Sequence, residues 1–129
     1  MNDQVNLFDL EERQPDTGRP GGKTWVFNGA ERMSIQYSEM WDPALVLHAH
    51  ENEQVNIVLG GHVLFRVEDE VFELTKGCII RIPPNKSHGL EKKLSDEDFR
   101  VIQLMVPKKE GVPESPRTAD KGHQGWPTL

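Results

Sequence analysis

The chain has 129 residues but only one cysteine, Cys78, and no long hydrophobic run. A single cysteine excludes a disulfide within the chain, which is typical of proteins in the reducing cytoplasm. No stretch approaches the roughly 18 consecutive apolar residues of a membrane-spanning helix. Residues 1–10 have neither a basic start nor an apolar segment, so no secretory signal peptide is predicted. We therefore predict a cytoplasmic protein without a membrane partner.

The chain also lacks an excess of positive charge, internal repeats and a convincing amphipathic helix. The formal net charge of −6 argues against nucleic acid as a partner, because the phosphate backbone attracts basic surfaces. Short apolar stretches are instead separated by turn residues about every eight to twelve positions. The length suits one domain with a substantial core. These features predict an all-β protein, either a small barrel or a sandwich.

Each of the predicted strands is a short run of alternating or continuous apolar residues that ends at turn residues. They cover residues 23–27, 33–41, 45–50, 55–59, 62–68, 71–75, 78–82 and 99–106. Residues 1–22 form a polar N-terminal arm, which is either loose or pairs as an additional strand, for example on a partner subunit. Residues 23–106 form the barrel, and the proline-containing residues 107–129 form a C-terminal extension.

Two histidines one residue apart mark the clearest candidate site. Side chains alternate along a strand, so His48 and His50 face the same side. Taken alone, such a pair is typical of solvated histidines on an exposed strand. Because Val46 shares their side while Leu45 and Leu47 share the other, we predict that this strand is apolar on both faces. Its histidines then face the barrel interior, where a metal ion offsets the cost of burying an imidazole.

Two further side chains complete a possible metal site. Gln54 follows the histidine pair after a short turn, and His88 follows the turn at Pro83-Pro84. Imidazoles that converge from different strands with an oxygen ligand suit a divalent transition metal ion, such as zinc, nickel, iron or manganese. Glu51 and Glu53 are rival oxygen ligands, but their spacing places them in the loop or on the other face.

The order and spacing of these residues resemble the cupin superfamily. Its first motif is commonly written G-x5-H-x-H-x3,4-E-x6-G, and its second G-x5-P-x-G-x2-H-x3-N. The residues at the motif positions are His48, His50, Gln54 and Gly61 in the first motif, and Gly77, Pro83, Asn85 and His88 in the second. The resemblance covers roughly residues 44 to 92. It implies a jelly-roll barrel that holds one metal ion on His48, His50, Gln54 and His88, and it implies a homodimer.

This sequence departs from the motifs at four positions. Asp42 stands in place of the opening glycine, and Lys92 in place of the final asparagine. Asn85 replaces a glycine, which is a mild change because asparagine tolerates a left-handed turn conformation. Gln54 replaces the usual glutamate and brings no negative charge. The ion then keeps its full double charge, which favours Lewis-acid chemistry over stabilising a higher oxidation state.

Other side chains could line the cavity of such a barrel. In the strand over residues 33–41, either the even positions (Ser34, Gln36, Ser38 and Met40) or the odd ones can face inward. Further candidates are Tyr37, Asn56, Arg66, Arg81, Gln103 and Met105, and for most of them a structural role explains the residue equally well. Gln103 is the best candidate, because a polar amide in an apolar final strand needs a hydrogen-bond partner or a substrate.

The motif residues resemble those of small single-domain cupins that convert unsaturated uronates to linear keto sugars, and of polyketide-cyclase-like proteins. The resemblance implies metal-dependent proton transfer on a keto sugar acid or polyketide, by isomerisation, cyclisation or elimination, with Gln103 orienting the substrate. The uronate-processing relatives carry an acidic residue on the last strand and an arginine after it, where this chain has Gln103 and Lys109. Two alternatives remain open: an Fe(II)-dependent dioxygenase, and a module that binds a small molecule without changing it.

Overall fold

The computed structural model describes residues 5–18, 20–43 and 46–116, and its main elements are eight strands. They are β1 (Gly22–Phe27), β2 (Ser34–Met40), β3 (Glu53–Gly60), β4 (His62–Val67), β5 (Glu70–Thr75), β6 (Ile79–Ile82), β7 (His88–Lys93) and β8 (Phe99–Val106). A 3-10 turn at Leu10–Glu12 is the one helical element in these ranges. No helix within them has the length and apolar character needed to span a membrane.

The strands form two antiparallel sheets that enclose one hydrophobic core. The five-stranded sheet has the order β1-β2-β8-β3-β6, and the three-stranded sheet has the order β5-β4-β7. The core side chains come from both sheets: Val58, Ile80, Ile82, Phe99 and Val101 from the first, and Val63, Phe65, Leu74 and Leu90 from the second. Burial of these side chains is the main force that holds the sheets face to face. This architecture confirms the predicted all-β jelly-roll barrel.

Seven of the predicted strands form, with ends shifted by one or two residues, and two regions differ. Residues 46–50 are not a strand; residues 44 and 45 lie outside the described part of the chain. The eighth strand is instead β7 (His88–Lys93), which the sequence analysis missed. This strand pairs with β4 from Val63 to Val67. Its Glu-Lys-Lys end has no apolar alternation, so only the tertiary pairing identifies it as a strand.

Strand pairing determines which side of β2 faces inward. Ser38 lies opposite Val101 and Gln36 lies opposite Gln103 on β8. Val101 is fully buried in the core, so the even positions of β2 face the interior. The odd positions, among them Tyr37, lie on the outer face of the five-stranded sheet.

Described residues from before β1 and after β8 pack against β1 of their own chain. Val5, Leu7 and Leu10 of the N-terminal arm pack on the cluster of Trp25, Phe27 and Tyr37. The backbone of Asp16 exchanges two hydrogen bonds with Thr24, and Ser115 bonds to Val26 through both its amide and its hydroxyl group. The arm therefore covers part of the outer sheet face instead of hanging free. The domain limits at residues 22 and 106 stay a prediction.

The burial of Tyr37 leads to a prediction about alkaline pH. Burial, the hydrogen bond from its hydroxyl to Glu39 Oε2 and the charge of Glu39 together raise the pKa of Tyr37 to about 12. Because the folded-state pKa lies above the unfolded value of 10.0, Tyr37 contributes stability below pH 10 that is lost as the pH rises towards 12. Tyr37 is the only tyrosine, so its ultraviolet absorbance reports its ionisation directly.

We expect the tyrosinate absorbance of the folded protein to reach half its amplitude near pH 12, and that of the urea-unfolded protein near 10. The Tyr37→Phe variant is the control, since its unfolding free energy should vary less over this interval than that of the wild type. A folded protein whose tyrosine titrates at the unfolded value would contradict the burial of this side chain.

Candidate metal centre

Three histidines converge at one end of the barrel. His48 and His50 lie on the segment before β3, and His88 begins β7. Each ring offers one nitrogen atom, and these three atoms all lie within 4.8 Å of one another. The ring centroids of His48 and His88 are 4.4 Å apart, and those of His50 and His88 are 4.9 Å apart. His88 is buried, His50 is half-buried and His48 is exposed, so the cluster lies at the barrel mouth.

The segment that carries His48 and His50 is held by backbone contacts to the loop and strand that carry His88. The amide of His48 donates to the His88 carbonyl at 3.1 Å, and the amide of His88 donates to the His48 carbonyl at 2.9 Å. The amide of Asn85 donates to the His50 carbonyl at 2.7 Å. Asn85 has a φ of 63°, which confirms that asparagine here takes the left-handed turn conformation.

A glycine lets the two segments approach each other. A Cβ atom added at Gly89 would lie 2.7 Å from the carbonyl oxygen of Val46. The segment therefore meets β7 through one bridge, and the prediction of a strand with two buried faces is wrong. Val46 and Leu47 are 66% and 46% exposed. Burial would have required a second paired neighbour, and the described chain supplies only β7.

The hydrogen bonds of His50 and Gln54 direct two lone pairs at each other. His50 Nδ1 lies 3.0 Å from the Asn52 carbonyl oxygen, so this nitrogen carries the proton and Nε2 of the neutral ring carries a lone pair. The Gln54 side-chain nitrogen donates to Asn56 Oδ1 at 2.7 Å, which turns its oxygen Oε1 towards His50 Nε2 at 2.9 Å. Two acceptors at this separation repel unless a proton on His50 Nε2 or a metal ion lies between them.

His88, like His50, uses Nδ1 for a hydrogen bond to a backbone carbonyl. Its Nδ1 donates to the Lys86 carbonyl oxygen at 2.8 Å, and its Nε2 is buried without a hydrogen-bond partner in the described chain. Burial lowers the pKa of His88 below 6.5, and the charges of His50 and Lys109 lower it further, while the bond to Lys86 opposes the shift. The imidazole is therefore neutral at pH 7, which is the form that binds metal ions.

These observations fit a divalent transition metal ion. The donor set consists of imidazole nitrogens and one amide oxygen, all neutral. His50 and His88 each donate through Nδ1 to a backbone carbonyl, which is the usual way in which a protein orients a metal-binding imidazole. The buried Nε2 atom of His88 also gains a partner when a cation is present. Assignment of His48, His50, Gln54 and His88 as ligands stays a proposal.

A row of carboxamides lines the barrel interior beside the histidines. Gln54 and Asn56 follow each other on the inner face of β3, and Gln103 lies opposite Asn56 on β8. The side-chain nitrogen of Gln36 donates to Gln103 Oε1. This places the predicted Gln54 and Gln103 on the same wall as Asn56. Carboxamides donate and accept hydrogen bonds but do not titrate near neutral pH, so this wall positions a ligand and cannot act as its base.

Three other pocket candidates lie elsewhere. Tyr37 is on the outer face of the five-stranded sheet, as described above. Arg81 pairs with Glu53 Oε2 at 2.5 Å, and Arg66 pairs with Glu91 at 2.7 Å, both at the surface. The arginines therefore have structural partners outside the barrel, and Glu53 points away from the histidine cluster.

The sequence analysis missed one residue that shapes the site. Asn52 is 6% exposed, its carbonyl accepts the proton of His50, and its side-chain nitrogen donates to the Pro107 carbonyl at 2.5 Å. It thus ties the turn before β3 to the end of β8. The sequence leaves open whether the side of β2 that carries Gln36 faces inward, and the register with β8 decides that it does. No local pattern marks Asn52, because its partner is 55 residues away.

Comparisons with known proteins agree with this geometry. The family model for the cupin domain matches residues 33–107. KdgF from Halomonas sp. superposes with a TM-score of 0.68 at 22% identity, over 78% of this chain and 93% of that one. An RmlC-like cupin from Shewanella frigidimarina has a TM-score of 0.68 at 22% identity, and the match covers 84% of this chain and 97% of that one. Oxalate decarboxylase from Lactobacillus farciminis superposes with a TM-score of 0.67 at 18% identity, over 84% of this chain and 34% of that one. No curated protein matches the chain.

The likeness to these structures extends over the barrel, and the matched family segment contains both histidine-bearing stretches. It begins just before β2 and ends just after β8, so it spans more than half of the chain. With the two sheets, the three clustered histidines and this family match together, the chain belongs to the cupin family.

Proposed function

We propose that this protein is a metal-dependent cupin enzyme that performs proton-transfer chemistry on a small oxygenated substrate, such as a keto sugar acid or a polyketide. The observation that carries the proposal is the pair of lone pairs on His50 Nε2 and Gln54 Oε1, beside the buried Nε2 of His88. We propose His48, His50, Gln54 and His88 as the ligands. A bound divalent ion supplies Lewis-acid polarisation of a substrate oxygen.

The charge around the site supports an anionic substrate. All four proposed ligands are neutral when they bind a metal ion, and the cation Lys109 is near enough to act on His88. The Lys109 backbone amide donates to Ser34 Oγ at 2.8 Å, which fixes the chain beside the inner face of β2. A positive potential at a barrel mouth, to which a bound divalent ion would contribute, attracts carboxylates and enolates. Gln103 is proposed to orient the substrate through its carboxamide.

The test begins with metal content by mass spectrometry on untagged protein, followed by proton exchange in deuterated water. Metal-loaded protein is incubated with uronates, hydroxy-keto acids and polyketide mimics, and nuclear magnetic resonance follows deuterium at the carbon next to the carbonyl. We expect exchange with at least one class, and at least about tenfold less with the Gln103→Leu variant at equal metal content. Stoichiometric metal without exchange on any substrate would overturn the proposal.

A second candidate is binding without turnover. It is favoured by the carboxamide wall, which holds no group able to accept a proton near neutral pH. Recovery of unaltered ligand after tight binding would support this candidate. Oxygen uptake by the iron-loaded protein would instead indicate the dioxygenase alternative. The single Cys78 supports the cytoplasm as the proposed location.

We also propose that the protein forms a homodimer through the outer face of its five-stranded sheet. An apolar stripe crosses this face at Ile57, Ile79 and Ile102, and Ile79 is 68% exposed. The surface pair of Arg81 and Glu53 borders the stripe, so a two-fold related copy can place opposite charges against each other. Exposed apolar surface of this kind commonly marks an interface.

We expect the Ile79→Asp variant to sediment as a monomer, because a carboxylate would be desolvated at such an interface. Val71, on the other sheet and 43% exposed, provides the control, and Val71→Asp should leave the association state unchanged. A wild-type protein that sediments as a monomer at high concentration would contradict the dimer.

A further inference from the structure

Asn56 occupies the centre of the barrel wall. It lies in the middle of β3, opposite Gln103 on β8 and Ile80 on β6, and its side chain is 1% exposed. Burial of this polar side chain is unfavourable unless each of its polar atoms finds a partner. The carboxamide oxygen of Asn56 therefore needs a donor, and its nitrogen needs an acceptor.

One end of the Asn56 carboxamide is satisfied and the other is not. Oδ1 accepts a hydrogen bond from the Gln54 side-chain nitrogen at 2.7 Å. Nδ2 is fully buried and has no hydrogen-bond partner among the described residues. A buried N–H donor without a partner is uncommon in folded proteins and needs an explanation.

The neighbours of Asn56 narrow the possible partners of this donor. Gln103 Oε1, the acceptor across the strand pair, accepts from Gln36 and makes no hydrogen bond with Asn56 Nδ2. Ile80, on the other neighbouring strand, is apolar. Asn56 lies next to Gln54, whose Oε1 is 2.9 Å from His50 Nε2, so an oxygen atom of a molecule bound at the histidines is a partner that this location can receive.

We infer that Asn56 determines which ligands the site accepts. Its Oδ1 holds the Gln54 amide so that Oε1 faces His50, and its Nδ2 donates to a carbonyl or carboxylate oxygen of the ligand. This inference rests on the proposed function, because it places the ligand beside the proposed metal ion. It adds that the ligand carries a second acceptor oxygen next to the one at the histidine cluster.

The contact between Gln54 and Asn56 favours a small ligand. The Gln54 side-chain nitrogen donates to Asn56 Oδ1 at 2.7 Å, so the two carboxamides are direct neighbours. A molecule with oxygens on adjacent carbons can place one oxygen at the histidine cluster and offer the other to Asn56 Nδ2. An α-keto or α-hydroxy carboxylate has this arrangement and the negative charge that suits a site beside Lys109.

Two substitutions separate the roles of the two atoms. Asn56→Asp keeps an oxygen that can accept from Gln54 but removes the N–H donor. Asn56→Leu has the same branched shape, is somewhat larger, and removes both. The probes are pyruvate, an α-keto carboxylate, and propionate, which has the same carboxylate but lacks the second oxygen. Calorimetric titration of the zinc-loaded proteins at pH 8 measures the affinity, and mass spectrometry measures the metal.

We expect the wild-type protein to bind pyruvate about 10- to 100-fold more tightly than propionate, which corresponds to one hydrogen bond with a charged or strongly polar partner. Asn56→Asp should retain zinc and lose this preference. Asn56→Leu should lose the preference and also bind zinc about 10- to 100-fold more weakly, because Gln54 is no longer held. Circular dichroism confirms that both variants fold.

The outcomes distinguish this inference from the proposed function. Wild-type protein that takes up no zinc or other divalent ion would overturn both. Zinc uptake with equal affinity for pyruvate and propionate would overturn the inference alone. The same conclusion would follow if both Asn56 variants keep the wild-type preference at equal metal content.

Discussion

The His88→Ala variant is expected to lose the bound divalent ion, with a dissociation constant raised at least about 100-fold. This estimate is a lower limit, since removing even a hydrogen-bond partner of a metal ligand weakens affinity by about 10- to 100-fold. His88 is the most buried of the three histidines, and its Nε2 atom has no protein partner in the described chain. Mass spectrometry of protein dialysed against a known concentration of zinc measures the loss.

His62 provides the matched control for this experiment. It belongs to the neighbouring strand β4, and its Nε2 lies 2.7 Å from Glu73 at the surface. The His62→Ala variant should therefore retain metal at the wild-type ratio. Retention of stoichiometric metal by the His88→Ala variant would contradict a site centred on His88. Loss of metal in both variants would place the ion elsewhere.

The Phe99→Ala variant is expected to lower the free energy of unfolding by about 3–5 kcal/mol, as for other large-to-small changes in protein cores. Phe99 is 1% exposed and packs in the cluster that joins the two sheets. Its backbone also lies against Gly61, where an added Cβ would approach Phe99 Cα to 2.8 Å. The contacts around Phe99 are thus close on both sides, and the cavity left by alanine cannot be filled by small shifts.

Urea unfolding followed by tryptophan fluorescence measures this change. Phe8 serves as the control, because it has the same side chain but is 93% exposed, so Phe8→Ala should shift the midpoint little. Phe99→Leu should fall between the two, since leucine fills much of the same volume. A loss below about 1 kcal/mol for Phe99→Ala would contradict the packing described for this core.

Much of the fold could be predicted because it depends on local patterns. Alternating apolar residues marked β2, β4 and β8, and the glycines at positions 60, 61 and 77 marked the turns between strands. Side chains that alternate with period two can bury one face only as a strand, whatever the rest of the chain does. The cupin motifs added the order of His48, His50 and His88, which the structure brings within ligand distance of one another.

Other features depended on contacts between distant residues. The segment at His48 and His50 has the composition of a buried strand, yet only β7 lies beside it, so Val46 and Leu47 are exposed. β7 itself has no strand pattern and forms because β4 offers an unpaired edge. Neither outcome can be read from the segment concerned, since it is decided by the pairing partner.

The sequence by itself determined an all-β barrel, its turns and a set of metal-binding residue types in the order of the cupin motifs. Only the tertiary structure decided that the even side of β2 faces inward, that Gln54 Oε1 points at His50, and that Asn56 Nδ2 finds no partner among the described residues. The physical reason is that alternation is a property of one strand. Register, hydrogen-bond direction and burial belong to pairs of strands whose residues are far apart in the chain.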